Sequence, residues 1–196
     1  MAIGLFGGSF DPPHEGHALV SDMALRRLRL DRVWWIVTPG NPLKATQGRP
    51  SQMERMQAAA RLIDDPRVAV TGFEALIGTR YTAKVLAWLR RRRDDVDFVW
   101  IMGADNLRQL HQWKDWRSIA DSTPMAIVDR PGATLSGPLG RAGRALAAYR
   151  VPESQAATLA WRAPPAWTLL HGPRSALSST ELRRRAAAAA SADRAH

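Results

Sequence analysis

The chain has 196 residues, with 28 Lys and Arg against 18 Asp and Glu and no cysteine. This length favours a single domain with a substantial core, and the absence of cysteine excludes disulfides, thiolate metal sites and a cysteine nucleophile. The formal net charge of +10 favours an anionic ligand, either a nucleotide or a polyanion such as nucleic acid.

We expect a soluble, cytoplasmic protein. The first residues, Met1-Ala2-Ile3-Gly4, do not combine a basic region with the long apolar run of a signal peptide. No stretch of the sequence approaches the roughly 20 apolar residues that a membrane-spanning helix needs.

Apolar runs of strand length alternate along the chain with segments of helical periodicity. Strands are predicted at residues 2–6, 33–37, 68–70, 98–102, 125–128 and 167–170. Helices are predicted from near residue 14 to 28, at 51–63, at 82–92, from 105, at 139–149, and from 179 into an alanine-rich tail at 186–196. The strands are apolar rather than alternating, which is typical of a parallel sheet covered on both faces.

These elements predict one Rossmann-like domain over residues 1–196, with a doubly wound, mostly parallel sheet of about six strands and helices on both faces. Residues 131–165 are rich in Gly, Ala, Pro and Arg and have the least regular pattern. We expect an irregular excursion there rather than a second domain.

The segment from Gly7 to His17 follows the first predicted strand and carries the first candidate site. Paired glycines allow a tight turn and a close approach of the backbone to a ligand. A helix beginning near His14 would bring His14 and His17 onto one face at its N-terminus, where free N–H groups and the helix dipole attract anions. Gly16 between them would leave room for a phosphate.

Two other interpretations of this segment are open. It is also consistent with a Gly/Pro turn before a surface helix that carries two ordinary histidines. A His-x-x-His metal site would need a third ligand, and no cysteine can supply it.

Residues 8–17, with the pattern Gly-x-Phe-Asp-Pro-x-His-x-Gly-His, resemble the signature of the HxGH nucleotidyltransferase superfamily. Residues 177–183 resemble the closing signature of the same superfamily, although Ser178 and Glu181 also fit a helix capping box. Together the two segments predict two anion-binding helix starts that form a cradle for a triphosphate.

The middle of the chain is similar to the bacterial nicotinate-nucleotide adenylyltransferases. The matching segments are Pro42-x-Lys44, Tyr81-Thr82 after Gly78, Gly103-Ala104-Asp105 eight residues before Trp113, and Arg130-Pro131-Gly132. The resemblance runs from residue 4 to residue 183. It implies transfer of AMP from ATP to nicotinate mononucleotide, which yields nicotinate adenine dinucleotide and pyrophosphate.

The resemblance also implies roles for individual residues. The catalytic residues would be His14, His17, Lys44 and Arg183. The ATP-binding residues would be Gly7, Gly8, Ser9, Phe10, His17, Gly103, Asp105, Ser178, Ser179, Thr180 and Arg183, with Asp105 on a ribose hydroxyl. The residues that bind nicotinate mononucleotide would be Lys44, Thr82, Trp113 and Lys114.

In the acceptor half of the site, Trp113 would stack on the pyridine ring, while Thr82 and the backbone N–H of Lys114 would receive its carboxylate. Core packing is the alternative role for Trp113, and it is the role we assign to Trp116. Arg80 stands where the family commonly has a small residue, and we assign it no role.

The implied chemistry needs no nucleophile from the protein, because the phosphate of the mononucleotide attacks directly. We expect Mg²⁺ to be held mainly by the ATP phosphates, with no metal site of the protein's own. ATP and nicotinate mononucleotide are the expected partners, without nucleic acid or membrane. Nicotinamide mononucleotide and phosphopantetheine are alternative acceptors, and a basic nucleic-acid-binding protein, suggested by Arg90–Arg93, is the alternative from another class.

Overall fold

Within residues 1–40, 50–129, 134–172, 179 and 182–184, which the computed structural model describes, the chain forms one sheet of six parallel strands. The strands are β1 (Ala2–Gly8), β2 (Arg32–Val37), β3 (Val68–Thr71), β4 (Asp97–Gly103), β5 (Met125–Val128) and β6 (Trp167–Leu170). Their order is β3-β2-β1-β4-β5-β6, and every neighbouring pair is parallel. The predicted Rossmann-like sheet is confirmed.

The sheet is buried on both faces, which explains why its strands are apolar runs. The helices of the described residues are α1 (Glu15–Arg27), α2 (Gln52–Leu62), α3 (Phe73–Leu76), α4 (Thr82–Arg92), α5 (Ala104–Gln109), α6 (Trp116–Ser122) and α7 (Arg141–Ala145). Helices α1 and α2 pack on one face, and α4 to α7 pack on the other. None of the helices described is long and apolar enough to cross a membrane.

Two helix starts follow from local sequence signals. His14 is the N-cap of α1, as expected from Pro13, which disfavours a helical conformation at the residue before it. At α2, Ser51 Oγ accepts a hydrogen bond from the backbone N–H of Glu54 at 3.2 Å, and the Glu54 carboxylate accepts one from the N–H of Ser51 at 2.7 Å. This reciprocal capping box satisfies two N–H groups that the helix itself cannot pair.

The connections differ from the sequence predictions. The helix predicted from residue 105 is divided into α5, a 3₁₀ turn at Leu110–Gln112 and α6, because Asp115 adopts the left-handed conformation with φ of 54°. The helix predicted at 139–149 consists of the short α7 and a 3₁₀ turn at Ala147–Tyr149. A 3₁₀ helix at Glu153–Trp161 and helix α3 were not predicted, since the first lies in the segment of irregular composition and the second is a single turn of four residues.

The end of the chain is described only in part. Ser179 and residues 182–184 are helical, in agreement with the predicted final helix. The alanine-rich tail lies outside the described residues.

The predicted turn at the paired glycines is wrong. β1 continues through Gly8, because Gly7 and Gly8 still pair with Ile36 and Val37 of β2. The left-handed conformation falls on Phe10, with φ of 46°. Gly7 is required for packing instead: a Cβ atom there would collide with the buried indole of Trp100.

We expect the Gly7→Ala variant to lower the free energy of unfolding by about 1–3 kcal/mol, because an added methyl group must displace a close-packed aromatic ring. Urea denaturation of the purified protein measures this change. The matched control is the same substitution in a Trp100→Leu background, where the smaller side chain should reduce the cost. An equal cost in both backgrounds would contradict the proposed collision.

Candidate active site

The carboxyl ends of β1 and β4 define the position of the candidate site. The strands that follow β1 along the chain extend to one side of the sheet, and those that follow β4 extend to the other. In such sheets a crevice forms at this point, outside the carboxyl ends of the strands. A cavity of about 480 Å³ lies there, within the size range of small-molecule sites.

Most of the residues singled out in the sequence line this one cavity. They are Gly7, Gly8, Ser9, Phe10, His14, Gly16, His17, Thr82, Gly103, Asp105, Trp113, Lys114 and Ser179. Arg183 is described but is not among the lining residues. Lys44, Ser178 and Thr180 lie outside the described residues, as do the Pro42 and Arg130–Gly132 segments.

The two histidines are in contact at the start of α1. The backbone N–H of His14 donates to Nδ1 of His17 at 3.1 Å, and the two ring centroids are 3.9 Å apart. Since Nδ1 of His17 accepts this hydrogen bond, the neutral imidazole carries its proton on Nε2. His17 therefore offers an N–H donor at Nε2, which suits an anionic ligand.

An aromatic cluster determines the orientation of the His17 ring. The ring of Phe10 lies 4.8 Å from that of His17 between centroids and stacks on the ring of Trp35 at 4.9 Å. The indole N–H of Trp35 donates to Ser21 Oγ at 2.6 Å, and this hydroxyl donates to the His17 carbonyl at 3.1 Å. Trp35 and Ser21 belong to no sequence motif, and their contacts with His17 arise only in the folded chain.

The closing segment of the chain returns to the loop that follows β1. Ser179 Oγ donates to the carbonyl oxygen of Pro12 at 2.9 Å. The Arg183 guanidinium donates to the carbonyl oxygen of Asp11 and lies 3.6 Å from its carboxylate. The two segments that carry the superfamily resemblance are thus adjacent in space, although they lie at opposite ends of the matching part of the chain.

The other end of the cavity has a cationic and aromatic wall. Two cations lie near the Tyr81 ring, with Lys114 Nζ at 5.1 Å and the Arg80 guanidinium carbon at 6.0 Å from its centroid. Thr82 is the first residue of α4. Arg80, which sequence analysis gave no role, also lines the cavity. The wall is suited to an acidic ligand because cations attract its charge.

Trp113 occupies a position between the cavity and the core. It lines the cavity, and it is also half-buried against the apolar cluster between the sheet and helices α4 to α7. Trp116 packs against the same cluster without lining the cavity, as we predicted.

The cavity wall also contains a buried acid that was not predicted, Glu74 of α3. Burial raises the pKa of Glu74 to about 7, and a hydrogen bond with Thr38 opposes the shift. No sequence pattern marks this residue, because its helix is a single short turn and one acidic side chain is uninformative.

A metal centre built by the protein finds no support in the described part of the chain. There, no three side chains from His, Asp and Glu come together as metal ligands. The His-x-x-His interpretation therefore lacks its third ligand within these residues.

The fold and site together define an α/β nucleotide-binding protein, with a helix start for phosphate at one end of the cavity and a cationic, aromatic wall at the other. A family model described as cytidylyltransferase-like matches residues 5–185. Probable nicotinate-nucleotide adenylyltransferases of Methylorubrum extorquens and Rhizobium meliloti are similar to this chain. The first is 58% identical over 185 residues, covering 94% of this chain and 100% of the relative. The second is 55% identical over 183 residues, covering 93% of this chain and 97% of the relative.

A solved structure supports the same fold. The Plasmodium falciparum nicotinic acid mononucleotide adenylyltransferase complexed with NaAD has a TM-score of 0.70 at 16% identity, covering 93% of this chain and 82% of that chain. The chain belongs to the cytidylyltransferase-like family and, within it, to the nicotinate-nucleotide adenylyltransferases.

The His17 geometry makes a prediction for the free protein. Long-range ¹⁵N–¹H spectra should show the neutral ring protonated at Nε2, since Nδ1 accepts from the backbone. The His17→Ala variant should lose about 0.5–2 kcal/mol of stability with this capping bond. His17→Asn retains an acceptor near the Nδ1 position and should lose less. A ring protonated at Nδ1 would contradict the assigned geometry.

Proposed function

We propose that this protein transfers AMP from ATP to nicotinate mononucleotide and releases pyrophosphate. The observation that carries the proposal is that one cavity joins the His14–His17 helix start to the wall formed by Tyr81, Thr82, Trp113 and Lys114. The first end suits a triphosphate, and the second suits an acidic aromatic acceptor. The relatives named above support the same activity.

In the reaction, a phosphate oxygen of the acceptor attacks the α-phosphorus of ATP. The new P–O bond forms as the bond to the bridging oxygen breaks, and pyrophosphate leaves with the electron pair. His17 Nε2–H would donate to the α-phosphate, where negative charge develops. Catalysis rests on aligning the two substrates and on stabilising this charge with donors already oriented by the fold.

We propose that the remaining contacts with the phosphates come from the closing segment of the chain and from one lysine. Ser178, Ser179, Thr180 and Arg183 would hold the β- and γ-phosphates, and Lys44 would reach the phosphates from the opposite side. The contacts of Ser179 and Arg183 with the loop at residues 11–12 support this assignment, because they bring the segment to the cavity rim.

We propose that Mg²⁺ enters with the ATP phosphates. Among the described residues no three ligand side chains come together, and Mg²⁺ typically retains water and binds through substrate phosphates. When bound, the ion neutralises charge on the phosphates, while the chain supplies the N–H donors around them.

The acceptor end favours nicotinate mononucleotide over its amide. A backbone N–H and a hydroxyl donor satisfy a carboxylate, whereas the NH₂ group of an amide would face these donors unpaired. We therefore propose that Thr82 and Lys114 exclude nicotinamide mononucleotide. Phosphopantetheine is a poorer acceptor for another reason, because it lacks the ring on which Trp113 would stack.

We also propose that the chain acts as a single domain in the cytoplasm, where ATP is supplied. We propose further that it does not bind nucleic acid. Two arginines at the end of α4 and directly after it have partners within the protein. The Arg92 guanidinium lies 4.6 Å from the Trp88 ring centroid, and Arg93 pairs with Asp95 at 2.8 Å.

The acceptor preference is tested with ATP, Mg²⁺ and one acceptor at a time. We expect kcat/KM for nicotinate mononucleotide to exceed that for nicotinamide mononucleotide by at least about a hundredfold. Liquid chromatography measures the dinucleotide product and pyrophosphate. Phosphopantetheine provides a control with an unrelated acceptor. Similar turnover of the acid and the amide would overturn the proposed specificity.

His17 is tested with two variants that separate catalysis from helix capping. We expect both His17→Ala and His17→Asn to reduce kcat by about a hundred- to a thousandfold, since each removes the donor to the α-phosphate. Only His17→Ala should also lose the capping bond. Circular dichroism confirms that both variants are folded, and near-normal turnover by either one would refute the role.

A further inference from the structure

Glu74 is a buried acid that the proposed chemistry does not use. It lies in the wall of the cavity with only 4% of its surface exposed. Among the described residues, its Oε2 atom has no hydrogen-bond partner. Burying a carboxylate in this way costs free energy, and the cost is recovered when a ligand supplies the missing donor.

The backbone of Glu74 also anchors the turn that leads to the acceptor wall. Its carbonyl oxygen accepts from the N–H of Thr79 at 3.0 Å, and Gly78 in this turn has φ of 64°. The next residues are Arg80, Tyr81 and Thr82, which line the same cavity. Glu74 therefore lies at the acceptor end of the cavity, on a turn whose path it helps to define.

Among the residues that the structure describes, few groups would neutralise the Glu74 carboxyl. Burial raises its pKa to about 7, and the hydroxyl of Thr38 is the one group that opposes the shift. The charged or titratable groups that share the cavity wall are His14, His17, Arg80, Tyr81, Asp105 and Lys114. None of these contributes to the shift of the Glu74 pKa.

The chemistry of the acceptor determines which of its groups can face Glu74. Its pyridine carboxylate and its phosphate are anions, which a carboxylate repels. Its ribose carries two neighbouring hydroxyls, which are neutral and can both donate to a carboxylate. Asp105, proposed for the ribose of ATP, is the corresponding acid at the carboxyl end of β4.

We propose that Glu74 binds the acceptor nucleotide by accepting hydrogen bonds from its ribose hydroxyls. This inference rests on the proposed function and adds a substrate-binding residue to it. The protein would then use one carboxylate for each of the two riboses, with the phosphates between them.

The protonation state of Glu74 gives this contact a pH dependence. Only the ionised carboxylate accepts from both hydroxyls, so acceptor binding requires the proton to leave. With a pKa of about 7 in the free protein, the neutral form predominates at lower pH. The KM for the acceptor should therefore rise as pH falls below about 7, by up to about tenfold per pH unit.

The test compares the wild type with Glu74→Gln, using nicotinate mononucleotide and its 2′-deoxy and 3′-deoxy analogues. We expect Glu74→Gln to raise the acceptor KM by about tenfold or more while kcat and the KM for ATP change little. Removing the contacted hydroxyl should raise the KM of the wild type by a similar factor and that of Glu74→Gln hardly at all. If each deoxy analogue raises the KM by the same factor in the wild type and in Glu74→Gln, the proposed contact is wrong.

The pH profile separates a ribose contact from a purely structural role. The two proteins are compared at each pH, so that effects of other ionisable groups, which both proteins share, cancel. We expect the wild-type KM to fall between about pH 6 and pH 8 more steeply than that of Glu74→Gln. Parallel profiles would overturn the proposal. Asp64→Asn, the same kind of change at an acid outside the cavity wall, is the matched control and should leave the profile unchanged.

If Glu74→Gln does not fold, the wild type alone still tests the inference. The deoxy analogue that lacks the contacted hydroxyl should then show a weaker pH dependence of KM than nicotinate mononucleotide. An unchanged dependence for both analogues would overturn the contact. Failure of the proposed function gives a different result, because the wild type would then form no dinucleotide from any of these acceptors.

Discussion

β1 and β4 pair in parallel at the centre of the sheet, from Ala2 opposite Asp97 to Phe6 opposite Ile101. Because the connections from these two strands leave in opposite directions, the crevice between their carboxyl ends is not covered by a crossover helix. The start of α1, Asp105 and the wall that contains Tyr81 and Lys114 all line the cavity in this crevice. These segments are far apart in the amino-acid sequence. The order of the strands in the sheet brings them together.

Close packing around the crevice limits the residues that can form it. Gly7 leaves the space that the Trp100 indole occupies, and the Phe10 ring stacks on Trp35 beneath His17. Interiors of this density leave few alternative positions for a ring. The His17 side chain is therefore held in place before a nucleotide binds, which reduces the entropy lost on binding and in the transition state.

The positions of the charged side chains distinguish two groups within the net charge of +10, one on the surface and one in the cavity wall. Several arginines are paired on the surface, including Arg67 with Asp65 at 2.7 Å and Arg93 with Asp95 at 2.8 Å. Exposed pairs of this kind contribute little to stability. Within the described residues, by contrast, Arg80, Lys114 and the buried acid Glu74 share the wall of the cavity.

The amino-acid sequence by itself determined the strands and helices that local patterns encode. The six apolar runs became the six strands of the described sheet, and the signals at Pro13 and Ser51 predicted the starts of α1 and α2. The family resemblance also singled out the motif at residues 8–17 and the residues at 82, 103, 105, 113 and 114, and the structure brings most of these residues to the wall of one cavity.

Only the tertiary structure decided the features that depend on partners far apart in the chain. The role of Gly7 depends on Trp100, the orientation of His17 depends on Trp35, and the properties of Glu74 depend on its burial beside the end of β2. Local sequence cannot encode these relations, because burial and close approach arise only when parallel strands bring distant segments together.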